Sequence, residues 1–184
     1  MGWANSSSPV FQQLRKDLPI EGMPEFRLIR RRKSRKKSLP PDFYRPGGIW
    51  VVSRAFKKMI DDLEPTRNQF FPIEVCEKTG EKLAASYFLM NVTQACDILD
   101  YEKSDMESAW SEWKKPSGET VRVQQWYLQY QPKVLVAAPS TIGDKHLWRG
   151  RKQLGSCLFF SDALMARVQE AKLKGIATFP IAEG

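Results

Sequence analysis

Histidine and cysteine are scarce in this chain of 184 residues, which has one His and three Cys. The cysteines are Cys76, Cys96 and Cys157, and no two of them have the CxxC spacing of a zinc site. A structural zinc site needs about four nitrogen or sulfur ligands, so we expect neither a bound metal nor another cofactor. Free thiols are typical of proteins from a reducing cytosol, and we expect a cytoplasmic protein.

Motifs of nucleotide binding and hydrolysis are also missing. The chain contains no GxxxxGK[ST] loop, no GxGxxG, no GxSxG and no HExxH. Any Ser/His or Cys/His nucleophilic pair would have to use the lone histidine, His146. We therefore predict no catalytic residues and no enzyme. A small enzyme that uses His146 remains an alternative.

Long hydrophobic runs are absent as well. No stretch approaches the ~18 consecutive apolar residues of a membrane span. The first residues, MGWANSSSPV, lack the charged and apolar regions of a secretory signal. Apolar residues nevertheless make up 42% of the chain and charged residues 27%, which excludes a fully disordered or fibrous protein. We expect one soluble domain that does not contact a membrane.

Positive charge is confined to one segment. Residues 27–37 include eight basic side chains and no acid, and the formal charge of the whole chain is +8. The rest of the chain is therefore neutral, whereas proteins that follow a phosphate backbone usually spread positive charge over a face. Three interpretations stay open: a solvated arm, a contact with nucleic acid or another anion, and a docking strip for an acidic protein partner.

Hydrophobic periodicity predicts an α+β fold. A short apolar strand at 49–52 leads to Ser53, which is placed to cap a helix with a 3.6-residue apolar period, and Pro65 ends that helix. The same order of strand, capping serine and helix recurs around Ser161, with Gly175 expected at the C′ position. Further strands are predicted at 70–76, 87–92, 121–130, 133–138 and 176–181, and helical turns at 11–18, 93–99 and within 103–119.

These elements predict a mixed, mostly antiparallel sheet with a few packed helices in a single domain with an N-terminal extension. We expect the domain to cover residues 39–184. The polar extension, residues 1–38, carries the basic segment.

Two tryptophans stand out in the polar stretch 103–119. Trp110 and Trp113 are three positions apart and have charged or small neighbours. Tryptophan is enriched at the energetic centre of protein interfaces, so we predict that these two side chains contact a partner. In the alternative interpretation, one of them faces the core and the other is partly covered.

The order of several segments resembles the immunity proteins of bacterial polymorphic toxin systems, a family once catalogued as a domain of unknown function. The resemblance covers residues 39–181, and its most specific part is a block of strand, Ser-Asp, helix, Gly, strand and Phe-Pro near the end. The segments that carry it are PGGIWVVS (46–53), QFFPI (69–73), YFLMNV (87–92), LWR (147–149), LFFSDAL (158–164) and KGIATFP (174–180).

The resemblance implies a non-catalytic bacterial protein that binds and neutralises a cognate toxin. The toxin would be the C-terminal domain of an effector delivered by contact-dependent or type VI secretion. A basic module that binds nucleic acid is the alternative, and the protein could be a monomer or a homodimer. The residues predicted to contact the toxin are Arg30, Arg31, Arg32, Lys33, Trp110 and Trp113.

Overall fold

The computed structural model describes residues 14, 19–22, 26–29, 39–77, 79–115, 117–128, 134–137, 142–150 and 157–183. For residues 26–29, 125–128 and 183 it describes the backbone alone. The predicted helix at 11–18, apart from Leu14, lies outside the described residues.

Five strands form the central sheet in the order β1-β4-β5-β3-β2. Strand β1 is parallel to β4, and the remaining neighbours are antiparallel. The predicted class, α+β with a mixed and mostly antiparallel sheet, is confirmed. The five strands are β1 Phe26–Ile29, β2 Phe43–Tyr44, β3 Trp50–Ser53, β4 Gln69–Cys76 and β5 Tyr87–Asn91.

Three smaller sheets complete the described part of the fold. One has the order β11-β10-β6, the second pairs β12 with β9, and the third is a hairpin of β7 and β8. Their strands are β6 Ala95–Cys96, β7 Met106–Lys114, β8 Thr120–Leu128, β9 Val136–Ala137, β10 Leu147–Gly150, β11 Leu158–Phe160 and β12 Ala182–Glu183.

Two helices begin directly after strands, each at a capping serine. Helix α1, Arg54–Leu63, follows β3, and helix α2, Asp162–Glu170, follows β11. The hydroxyl of Ser53 accepts the N–H of Phe56 at 3.3 Å. The hydroxyl of Ser161 accepts the N–H of Leu164 at 3.2 Å. Both predicted caps are confirmed, because such a bond satisfies one of the free N–H groups of the first helical turn.

The central sheet is buried on both faces. Val51 and Val52 are consecutive in β3 and therefore point to opposite faces, and both are fully buried. Val52 packs in a cluster with the inner faces of α1 and α2, which include Phe56, Ile60, Leu164 and Val168. On the other face, Val51 packs in a cluster with Ile73, Val75, Leu89, Leu14 and Ile20.

Described residues before position 39 thus form part of the packed fold. They provide an edge strand, β1, and two buried side chains, Leu14 and Ile20. The boundary between residues 38 and 39 stays a prediction.

Beside the sheet, a third cluster supports β10. Trp148 and Phe159 stack with 6.0 Å between ring centroids and an interplanar angle of 12°. They pack with Cys96, Ile98 and Leu135. Because Ala95–Cys96 forms a short strand against β10, the helical turn predicted at 93–99 is wrong. That segment is apolar on more than one side, a pattern that does not distinguish a helical turn from a short buried strand.

The end of α2 also differs from the expectation. Ala171 is the C-cap, and Lys172 has the positive φ, 52°, that marks the C′ position. Gly175 is therefore not the C′ residue. Its φ is +95°, and a Cβ there would lie 2.1 Å from the carbonyl oxygen of Phe43, so the glycine is required by close packing. The strand predicted at 176–181 is wrong, since pairing begins only at Ala182.

Candidate protein-binding surface

Strands β7 and β8 form a two-stranded hairpin that has a sheet of its own. The register runs from Met106 opposite Leu128 to Lys114 opposite Thr120. Gly118, at φ +87°, closes the turn by donating its N–H to the carbonyl of Lys115 at 2.9 Å. The helix predicted within 103–119 is wrong, because Met106–Lys114 forms a strand. The predicted strand at 121–130 exists over Thr120–Leu128, and it pairs with β7.

The base of the hairpin is anchored to the body of the protein. Ser104 is buried, and its hydroxyl accepts the N–H of Val136 at 2.9 Å. The N–H of Asp105 donates to the carbonyl of Val134 at 2.8 Å, and the N–H of Val134 donates to the Asp105 carboxylate at 2.9 Å. Met106 packs against the third cluster. The hairpin therefore leaves a fixed point on the body.

Beyond this base, both faces of the hairpin are open to solvent. Side chains alternate between the faces of a strand, so residues three positions apart lie on opposite faces. Trp110 and Trp113 are 61% and 60% exposed. The interpretation in which one of them faces the core is wrong, and each tryptophan lies on a different face of the hairpin.

The face that carries Trp110 is polar and bears more positive than negative charge. The guanidinium of Arg122 lies over the Trp110 ring, with 5.3 Å between Cζ and the ring centroid. Cross-strand pairing puts Glu112 opposite Arg122 and Lys114 opposite Thr120 on this face. Among the described residues, Arg122 forms no ion pair with a side chain at salt-bridge distance. Arg122 is exposed, and its guanidinium stacks on the Trp110 ring.

The face that carries Trp113 is apolar toward the turn, and its one described charged side chain, Glu107, lies near the base of the hairpin. Val121 lies directly opposite Trp113, and Val123 lies opposite Ser111. Val123 is 37% exposed, and Ala109 on the same face is also exposed. Large exposed apolar side chains that are grouped together mark interaction sites in soluble proteins.

The basic residues of the predicted site, Arg30, Arg31, Arg32 and Lys33, lie outside the described residues. They follow β1 directly in the chain, and β1 is an edge of the central sheet.

The ring and the backbone of His146 form hydrogen bonds that connect different elements of the fold. Its Nδ1 lies 2.8 Å from the hydroxyl of Ser161, which also caps α2. Its backbone N–H donates to Oε2 of Glu64 at 2.9 Å, and Oε1 of Glu64 accepts from Asn68 at 2.7 Å. Glu64 is 3% exposed. The contacts of the ring therefore connect the loop before β10 with the start of α2.

Two side chains in the described part that have shifted pKa values, Asp144 and Tyr101, form hydrogen bonds with other side chains. Arg67 forms a bidentate ion pair with Asp144, at 2.8 and 2.5 Å. The hydrogen bond from Arg67 lowers the pKa of Asp144 to about 2. Burial and a hydrogen bond to Asp97 raise the pKa of Tyr101.

The described ranges contain no group of three His, Cys, Asp or Glu side chains that could hold a metal ion. All three cysteines carry reduced thiols. Neither helix in the described ranges is both long and apolar enough to cross a membrane.

A groove of about 460 Å³ between α1 and α2 is lined by Met59, Lys58, Asp62, Arg167 and Glu170. Its charged side chains are of both signs. The hairpin is therefore the described surface whose composition is most typical of a protein-binding site.

Comparison with known families identifies the class first: the chain is an immunity protein. The matching family model is that of the immunity protein family Imm11, it covers residues 5–183, and the chain belongs to this family. The predicted resemblance is confirmed, and the match extends through the basic segment and β1. No curated protein is similar enough to this chain to give a match.

Proposed function

We propose that this protein binds a cognate secreted toxin domain and neutralises it without catalysis. Family membership supports an immunity function. The observation that carries the binding mode is the hairpin β7–β8, which exposes a tryptophan on each face. Exposed tryptophan and stacked arginine are the residue types that dominate the energetics of protein interfaces.

Binding rather than catalysis fits the lone histidine. The His146 ring contacts the Ser161 hydroxyl at 2.8 Å. We assign this contact a structural role, because the same hydroxyl caps α2 and the backbone N–H of His146 binds the buried Glu64. Tight inhibition would then come from occupying the surface of the toxin, over an interface of about 1,600 Å².

The basic residues Arg30, Arg31, Arg32 and Lys33 are assigned to the encounter step. Clustered positive charge accelerates association with an acidic surface and contributes less to the lifetime of the complex. The toxin would reach the cytoplasm of a neighbouring bacterium through contact-dependent or type VI secretion, and the immunity protein would meet it there.

The test is co-production with the toxin domain encoded beside this chain. We expect a stoichiometric complex that survives about 0.5 M salt, where exposed charges are screened, together with rescue of growth. Replacing Arg30, Arg31, Arg32 and Lys33 by serine should slow association and leave dissociation nearly unchanged. Absence of both the complex and the protection would refute the proposal.

The basic segment supports one other candidate, a module that binds nucleic acid. Its affinity would fall steeply with salt concentration, because each phosphate contact releases counterions. A chain that purifies without the toxin domain but with nucleic acid at low salt would favour this candidate.

A further inference from the structure

We propose that the hairpin β7–β8 inserts into a cleft of the toxin domain, so that the toxin covers both of its faces at once. The inference rests on the proposed function and specifies its geometry. It assigns to the toxin a cleft with two different walls, one acidic and one apolar.

The positions of the two tryptophans carry the argument. A partner that lay flat against the hairpin would cover one face and leave the other tryptophan in water. Trp110 and Trp113 are exposed to the same degree, 61% and 60%, and they lie on opposite faces of β7 because they are three positions apart. Covering both therefore requires protein on both sides.

The composition of the faces defines the walls. On the Trp110 face, Arg122 and Lys114 outnumber Glu112, and Arg122 is held over the tryptophan ring. A guanidinium in this position is ready to receive a carboxylate. On the Trp113 face, Val121 and Val123 lie toward the turn and the one described charge, Glu107, lies near the base, so an apolar wall complements the part of this face that enters the cleft.

The dimensions of the hairpin suit insertion. Nine-residue strands extend about 30 Å at the usual rise per residue. Trp113 pairs with Val121, one pair before the last at the turn, and so would enter the cleft deepest. The hydrogen bonds of Ser104 and Asp105 fix the base, which limits the orientational freedom that binding would otherwise remove.

The experiment measures the Kd of the full-length protein for the toxin domain with three single variants. Insertion predicts that Trp110→Ala and Trp113→Ala each weaken binding by about 30-fold or more, the size expected of an interface hot spot. Phe179→Ala is the matched control, since Phe179 is an aromatic side chain outside the hairpin and is 44% exposed. It should leave the Kd unchanged. All three variants should unfold at the same temperature as the parent.

Affinities measured at low and high salt concentration distinguish the acidic wall of the proposed cleft from the apolar wall. The loss of affinity in Arg122→Gln should shrink between low salt and about 0.5 M salt, because it arises from a charge pair. The loss in Trp113→Ala should not change with salt. A toxin domain that binds the parent but is insensitive to one of the tryptophans would overturn insertion and leave the proposed function standing. If the parent does not bind the toxin domain at all, both proposals fail.

Discussion

Gly175 lies so close to Phe43 that no other residue fits there. A Cβ on Gly175 would be 2.1 Å from the Phe43 carbonyl oxygen and 2.6 Å from Cβ of Pro41. The same segment closes the β2 edge of the central sheet, since the N–H of Phe43 donates to the carbonyl of Lys174 at 3.1 Å. The glycine therefore fixes the C-terminal segment against the sheet.

Gly175→Ala should lower the free energy of unfolding by about 3 kcal/mol, because strain at positive φ adds to a backbone clash. Gly80→Ala is the control, since Gly80 has φ +87° with no atom within 4 Å of the added Cβ. It should cost about 1 kcal/mol from backbone strain alone. Urea denaturation measures both, and equal losses would contradict the packing argument.

The two capping serines should differ in their contribution. Ser53→Ala removes one hydrogen bond to a helix N–H and should cost about 1 kcal/mol of unfolding free energy. Ser161→Ala should cost roughly 1 kcal/mol more, because the His146 ring also loses its partner. Thermal or urea denaturation can compare them, and Ser161→Thr should restore most of the loss. A larger loss in Ser53→Ala would show that the His146 contact contributes nothing.

The buried carboxylate of Glu64 holds two elements together. Glu64→Ala leaves the N–H of His146 and the amide of Asn68 without their acceptor, and should cost about 2–4 kcal/mol of unfolding free energy. Glu170→Ala, an exposed position on α2, should stay within about 0.5 kcal/mol of the parent. Chemical denaturation distinguishes the two, and a neutral Glu64→Ala would contradict this role.

The ion pair between Arg67 and Asp144 predicts a pH dependence. The pKa of Asp144 is about 2 in the folded protein, below the ordinary 3.8. The contribution to stability is therefore complete above the ordinary value and is lost as pH falls toward 2. Arg67→Ala should return the Asp144 pKa toward the ordinary value, as followed by carboxyl NMR titration. Both side chains are substantially exposed, so added salt should reduce the shift.

Substitution of a buried tryptophan should lower the free energy of unfolding, and substitution of an exposed tryptophan should leave it nearly unchanged. Trp148 is 4% exposed and stacks on Phe159, so Trp148→Ala should cost about 3–5 kcal/mol of unfolding free energy. Trp113→Ala should change it by no more than about 0.5 kcal/mol. Urea denaturation of the two variants tests this, and a large loss in Trp113→Ala would mean that the hairpin packs against the body.

Local signals explain which elements could be predicted from sequence. Ser53 and Ser161 predict where the two helices begin, because a capping side chain acts within one helical turn. The apolar period of α1 can be read from the sequence of the helix alone. Strands β4 and β5 were predictable for the same reason, since β-branched and aromatic residues are concentrated there.

The hairpin was missed because neither face is buried. A strand shows alternation when one face packs on a core, and β7 instead exposes Trp110 and Trp113 on opposite faces. The sequence feature that could have predicted the hairpin is a pair of long polar segments on either side of the turn at Gly118. The parallel pairing of Phe26 with Ile73 could not be predicted either, because it joins distant residues and begins just before the run of like charges.

Helix α2 also determines when the protein can fold during synthesis. Leu164 and Val168 complete the cluster that contains Phe43, Val52 and Phe56, and the Phe43 edge of the sheet is closed by Lys174. A nascent chain still held at the ribosome before these residues emerge cannot bury that cluster. The cluster therefore forms only once residues 164–174 have left the ribosome, because it joins residues that are far apart in the chain.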